Sequence, residues 1–348
     1  MKNLVATGAA YSEAGRVREA NEDRVLLVDR AGCGASLYAV ADGLGGHAAG
    51  GVASDLATHV LRTEVPALIE RRVPPPQALV RALRRANEEI LEHGGVPERS
   101  GMATTCTALI VNRQEGVVAH VGDSRAYLIR GREVRQLTTD HSLAEELLRH
   151  GDLAPDDAVA NAQRHVLTRA LGLGTDTQID VLSVPLRGGD VLVLTTDGLH
   201  GAVPPQEIAA IVRSTLDGEG ACRTLVNLAN ARGGLDNASV VVVRVRPQWA
   251  ARLTRAVAPV ALALCLGAGA AFYHLEHSYF LGVRGDRVAL MRGVPVRLLG
   301  MPLFAVVRAT PVVVTQVAPA YRGTLLQGIR VRTPEDADTL LADLVRRP

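Results

Sequence analysis

Aromatic side chains are scarce in this 348-residue chain, at 3% with a single tryptophan, and neither sign of charge prevails: 38 Lys and Arg face 36 Asp and Glu. The shortage of rings argues against base-stacking surfaces. A formal net charge of +2 removes the basic field of an electrostatic nucleic-acid binder. Cysteine is rare too. Cys33, Cys106, Cys222 and Cys265 lie far apart, form no CxxC or Cys/His ligand spacing, and read as reduced core residues. The N-terminal MKNLVATGAAYSEAGR has no apolar signal core, which places the first domain in the cytoplasm. Against these absences stands a 47% hydrophobic composition, enough for one large domain with extras or for two domains.

Short apolar, β-branched runs recur at 25–28, 37–40, 104–111, 117–121, 126–129, 191–195 and 238–245. Tight turns such as 112–116 and GDSR join several of them and favour antiparallel hairpins. Helical spacing of small and apolar residues predicts helices over 48–60 and 76–91, the latter with Leu79, Leu83, Ala86 and Ile90 on one face. The stretch 138–171 is polar and helical in pattern, and reads as an insertion over one edge of the sheets.

Five short acidic motifs stand at the ends of β runs: NED (21–23), ADG (41–43), GDS (122–124), TDG (196–198) and DN (236–237). Singly, each is ordinary turn or N-cap chemistry. Jointly they place carboxylates at strand edges, where they would repel one another unless a hard cation with oxygen ligands, Mg²⁺ or Mn²⁺, held them. Two such ions can activate water for in-line attack on phosphorus. No Cys-x5-Arg signature, P-loop or GxSxG elbow offers another chemistry.

RVREANEDR, VADGLGGHAAGGVAS, GMATTCTALIV, AHVGDSRAYLIR, RHVLTRALG, VLTTDGL and GLDNASVVVV occur in that order. Together they resemble the bacterial metal-dependent Ser/Thr protein phosphatases of type 2C, over residues 4 to 246. The resemblance implies an α+β fold, a four-layer αββα sandwich of two antiparallel sheets flanked by helices, within a monomeric catalytic domain spanning 1–246. It implies hydrolysis of phosphoserine and phosphothreonine in proteins by water or hydroxide held between two Mn²⁺ or Mg²⁺ ions, with a third, weaker site. Asp42 would bridge the ions, the Gly43 carbonyl, Asp197 and Asp236 would complete one site, and Asp23 with Glu22 would support the other. Asp123 would join Asp197 at the third ion, Arg18 would grip the phosphate, and Asn237 would orient its neighbour. The segment at about 138–170 corresponds to the family's flap. One departure stands out: where many eukaryotic members carry a histidine after Asp-Gly, this chain has Leu44, and the nearest histidine, His47, keeps an open role. His141 and His165 read as solvated or structural. The partners implied are phosphorylated proteins and Ser/Thr kinases. The alternatives are an inactive scaffold of the same fold, which would be expected to lose Asp42, Asp197 or Asp236, and a phosphatase of small metabolites.

After 246 the composition changes. The 18 residues 256–273 carry no charge and would reach about 27 Å as a helix, close to a bilayer core. Arg244, Arg246, Arg252 and Arg255 precede them, with Trp249 as an interfacial anchor. The expectation is a single-pass membrane protein: a basic linker (247–255), a transmembrane helix (256–273), a cytoplasmic catalytic domain, and a small extracytoplasmic β-rich module (274–348) ending in a helix capped at Thr333-Pro334-Glu335.

Overall fold

The structure, a computed structural model, describes all residues except 1–3, 30–33, 46–48, 152–165, 299 and 347–348, with the backbone alone at 98, 249–258, 261 and 346. Cys33, His47 and His165 therefore lie outside the described residues. Contacts divide the chain into two compact units, Met1–Arg252 and Leu253–Pro348.

The first unit is built on two five-stranded antiparallel sheets. One carries β1 (Leu4–Glu13), β12 (Ala238–Pro247), β11 (Val191–Thr195), β8 (Arg125–Arg130) and β9 (Glu133–Gln136), in that spatial order. The other runs β10 (Asp180–Pro185), β7 (Glu115–Val121), β6 (Cys106–Asn112), β3 (Ser36–Ala41) and β2 (Arg24–Val28). Alternating side chains explain the layering, because every second residue of a strand faces the same way. Tyr38, Val40, Leu109 and Val118 of one sheet meet Leu128, Leu192, Leu194, Val241 and Val243 of the other in one buried cluster. The opposite face of the second sheet packs Leu37, Ala39, Ala108 and Ile110 against α1 (Ala49–Glu70) and α2 (Pro75–His93). The opposite face of the first sheet packs Tyr127, Val193, Val240 and Val242 against α5 (Pro205–Ser214) and α6 (Gly218–Ala231). Helix, sheet, sheet and helix thus stack with three apolar seams between them.

β1 and β10 are among the strands that the apolar runs did not mark. β1 is rich in Gly, Ala, Thr and Ser, and forms because its ten residues pair one-to-one with the valine-rich β12. β10, of which Leu182 is 39% exposed, is an edge strand held by β7. Within the predicted insertion the described helix is short, α3 (Leu143–His150), capped by the Ser142 hydroxyl accepting from Glu145 N–H at 3.3 Å and closed by Gly151 in the left-handed region.

The second unit has a four-stranded antiparallel sheet in the order β15 (Met301–Val313), β14 (Arg287–Leu298), β13 (Tyr279–Arg284) and β16 (Ile329–Val331). Leu281, Val288, Leu290, Val317, Leu325, Ala337, Leu341 and Leu344 form its core, with the last three supplied by α9 (Pro334–Arg346) and Leu325 by α8 (Pro319–Gln327).

The expected transmembrane helix is corrected by the structure. A helix does form, α7 (Gln248–His277), but among the described residues no helix is long and apolar enough to cross a membrane. His274, Glu276 and His277 follow the uncharged run within the same helix. The single-pass placement, with a cytoplasmic catalytic domain and an extracytoplasmic C-terminus, loses its support with that helix.

Candidate active site

Strand ends and turns bring the predicted acids to one cavity of about 790 Å³, lined by Arg18, Glu22, Asp42, Gly43, Asp123, Asp197, Asp236 and Asn237. Asp42 follows the last residue of β3, and Asp197 opens the short helix α4 (Asp197–His200) directly after β11. Asp236 stands two residues ahead of β12. Asp123 lies in the turn between β7 and β8, where Gly122 has φ +106°; a Cβ there would meet the Thr105 side chain at 2.6 Å, so the turn needs glycine. Gly43 is needed for space instead. A Cβ on it would run into the Gly50 carbonyl and stand 2.8 Å from that of Glu22, so the segment after β3 and the start of α1 approach closely only because the side chain is missing.

The cluster is electrostatically strained. The Asp42 carboxyl is pushed well above the ordinary carboxylate range, first by burial, then by the negative charges of Asp23, Asp197, Asp123 and Asp236. Asp23 is 2% exposed and is likewise raised, chiefly by burial, with the Ser239 and Thr196 hydroxyls pulling the other way and Asp197 and Asp236 adding to the rise. Its Oδ2 accepts from the Thr196 hydroxyl at 2.8 Å. Its Oδ1 is buried with no hydrogen bond of normal geometry, the nearby Ser239 hydroxyl donating to Ser12 at 2.7 Å. Buried carboxylate oxygens left so are the chemistry of a site for a hard cation. The rotamers are less suited to it: among the described residues no three acidic, histidine or cysteine side chains converge on one ion position, and Asp236 Oδ2 is held by Arg18 at 2.7 Å.

Asn237 organises the loop between β1 and β2. Its side-chain amide donates to the carbonyls of Ala14 and Ala20, each at 2.9 Å, and its Oδ1 accepts from Glu22 N–H at 2.8 Å. That clamp presents Arg18, with 56% of its side chain exposed, beside Asp236. The neighbouring Asp236 Oδ1 accepts from Asn237 N–H at 2.9 Å.

Every predicted site residue therefore lies in or directly behind this cavity, with Asp23 behind it. Leu44 lines the wall next to Gly43. His141 is buried rather than solvated, accepting from Gly122 N–H at 3.1 Å and facing Asp180 at 3.2 Å. Sequence reasoning missed the residues that hold the acids, Thr104, Thr105, Thr196 and Ser239, all fully buried. The adjacent threonines in GMATT, polar residues inside an apolar β run, were the available signal. It also missed Arg232 and Leu235, which line the cavity but belong to no acidic motif.

The chain is similar to known proteins in sequence and fold. The family model described as protein phosphatase 2C matches residues 13–230. The protein phosphatase PhpP of Streptococcus pneumoniae is 37% identical over 243 residues, covering 68% of this chain and 96% of that protein. The crystal structure of the Mycobacterium tuberculosis serine/threonine phosphatase PstP/Ppp is 34% identical, with a TM-score of 0.61 over 69% of this chain and 98% of its own. The catalytic domain of PstP in complex with two manganese ions gives 34% identity and a TM-score of 0.60 over 70% and 99% of the two chains. With sequence, fold and the order of the acidic turns in agreement over its first two-thirds, the chain belongs to the protein phosphatase 2C family.

Proposed function

We propose that the chain hydrolyses phosphoserine and phosphothreonine in proteins, opposing Ser/Thr kinases, with Mn²⁺ or Mg²⁺ held by the carboxylates of Asp42, Asp197 and Asp236 and the Gly43 carbonyl on one side. Asp23 and Glu22 support the other, and Asp123 with Asp197 serves a third, weaker site. The observation that carries this reading is Asp42, a carboxyl raised by burial and by four neighbouring carboxylates, in a cavity that also holds Arg18. When bound, the ions supply positive charge that acidifies a water molecule and neutralises the phosphoryl oxygens. Arg18 offers the planar, two-pronged donor that fits a phosphate, on a loop fixed by Asn237. The relative PstP has been crystallised in complex with two manganese ions, which supports the choice of ion. Leu44 has no proton to give, so that position supplies none to the leaving serine or threonine oxygen. The cavity, at about 790 Å³, exceeds a phosphorylated side chain and leaves room for its flanking residues.

The test is hydrolysis of a phosphothreonine peptide by the full chain with Mn²⁺, repeated with EDTA and with Asp42→Asn. Loss of turnover in both is expected. Activity that survives both overturns the reading.

A further inference from the structure

Behind Asp42 runs a continuous line of buried polar side chains that none of these roles employs. The Asp42 N–H donates to Thr105 Oγ1 at 3.0 Å. The Asp42 carbonyl accepts from Thr105 N–H at 2.9 Å and from the Thr104 hydroxyl at 2.8 Å. Thr105 Oγ1 shares a hydrogen bond with Ser124 Oγ at 2.7 Å, and Ser124 directly follows Asp123. The Thr107 hydroxyl lies 2.7 Å from the Ser124 carbonyl and 2.8 Å from His120 Nδ1. His120 Nε2 ends the line at the Thr139 carbonyl, 3.1 Å away. Thr104, Thr105, Thr107 and Ser124 are 0% exposed and His120 is 2% exposed.

We propose that Thr105 is the positioning residue of Asp42, and that the line through Ser124 and Thr107 to His120 fixes where the Asp42 carboxylate stands. Asp42 sits between strand ends, after β3 has lost its ladder and before the two-residue strand β4 (Gly43–Leu44) begins. Thr105 grips it there by both amide and carbonyl. A buried hydroxyl costs free energy unless it is hydrogen-bonded, so valine would fill the space at less risk if packing were all that was needed. The proton count ties the far end to the near one. Thr107 has one hydroxyl proton and two acceptors in reach. If neutral His120 donates from Nε2 to Thr139, its Nδ1 takes the Thr107 proton and the Ser124 carbonyl goes without. If His120 carries its proton on Nδ1, Thr107 donates to Ser124 and the Thr139 carbonyl goes without. The tautomer of His120 is therefore felt at the Asp123–Ser124 turn, one hydrogen bond from Thr105.

This inference rests on Asp42 holding metal, and the experiment separates the two. Mn²⁺ is titrated calorimetrically into the metal-stripped full chain carrying Thr105→Val, Thr105→Ser, Thr107→Val, the double Thr105→Val/Thr107→Val, or Asp42→Asn, with thermal melting as the check on folding. Thr105→Val should weaken Mn²⁺ binding on the order of tenfold, the scale for removing an outer partner of a metal ligand. Thr105→Ser should restore binding to within about threefold of the original. Thr107→Val should fall between these, and the double variant should bind no more weakly than Thr105→Val, because the line is already cut. Unchanged affinity in Thr105→Val, with binding lost in Asp42→Asn, overturns the proposal and leaves the site reading standing. Unchanged affinity in Asp42→Asn overturns the site reading itself. Equal weakening by serine and valine also overturns the proposal, since the methyl group would then be what matters. Should Thr105→Val not fold, Ser124→Ala removes the same 2.7 Å bond from the other side and carries the same expectation.

Discussion

Arg18 and Asp236 hold each other across the cavity mouth at 2.7 Å, with side chains 56% and 37% exposed. A pair so wet adds little to stability. Its consequence is for binding, because a guanidinium proposed for phosphate here meets a carboxylate proposed for a cation. Replacing Arg18 with Ala should lower kcat/KM for a phosphothreonine peptide by about 10- to 100-fold, the scale of one charged hydrogen-bonded contact. Mn²⁺ affinity should hold or rise, since Asp236 loses its competitor; steady-state kinetics beside calorimetry checks both, and a fall in both would place Arg18 in the metal site instead. Gly43→Ala makes a different demand. Its Cβ would collide with the carbonyls of Gly50 and Glu22, which are backbone and cannot swing aside, so a loss of about 1–3 kcal/mol in urea unfolding is expected. The acids were legible in the sequence because each ends or precedes a β run. Thr105 and Thr196 were not, because a threonine beside a strand looks the same whether its hydroxyl is idle or holds an aspartate.

At the scale of elements, periodicity found the valine-rich strands, the helix at 75–93 and, as 48–60, the first half of the helix at 49–70, and missed β1, whose sequence LVATGAAYSE pairs by register rather than propensity. β7 raises a pH question of its own. It carries His120, whose imidazole is pushed down to about 3, first by burial and then by the neighbouring His141 ring, 4.7 Å away, with Asp140 and Asp180 opposing. Above about pH 6.5 the ring is neutral both folded and unfolded, and its contribution is constant. As pH falls below that value the unfolded chain takes up a proton that the folded chain refuses, so stability is lost progressively down to about pH 3. At about pH 5 the loss is on the order of 2 kcal/mol. Asp23 and Asp42, raised rather than lowered, act with the opposite sign, so the His120 share must be isolated by difference. His120→Gln should be less stable at neutral pH but flatter between about pH 7.5 and 5 in urea midpoints. An unchanged slope would mean that folding does not shift the His120 imidazole at all.

At the scale of the whole molecule, the reach of the sequence was set by what a hydrophobic run can say. The run 256–273 announced a helix correctly and a membrane span that finds no support among the described residues. The tail was legible as β-rich with a capped final helix. Its long strands β14 and β15 pair with bulges, and Gly293 and Pro295 lie inside β14 rather than between strands. The larger consequence is modular. All the site residues, 18 to 237, fall within Met1–Arg252, and the core around Leu290 falls within Leu253–Pro348. Leu290 is 1% exposed, so Leu290→Ala should cost the second unit about 2–5 kcal/mol through lost transfer energy and the cavity left behind. Since the catalytic residues draw on other apolar clusters, phosphopeptide turnover should stay within about twofold of the unaltered chain. Calorimetric melting should then show one transition moved down and the other unmoved. A variant that loses turnover together with that transition would mean that folding of the tail supports the catalytic sheets, and the two units would have to be treated as one cooperative structure.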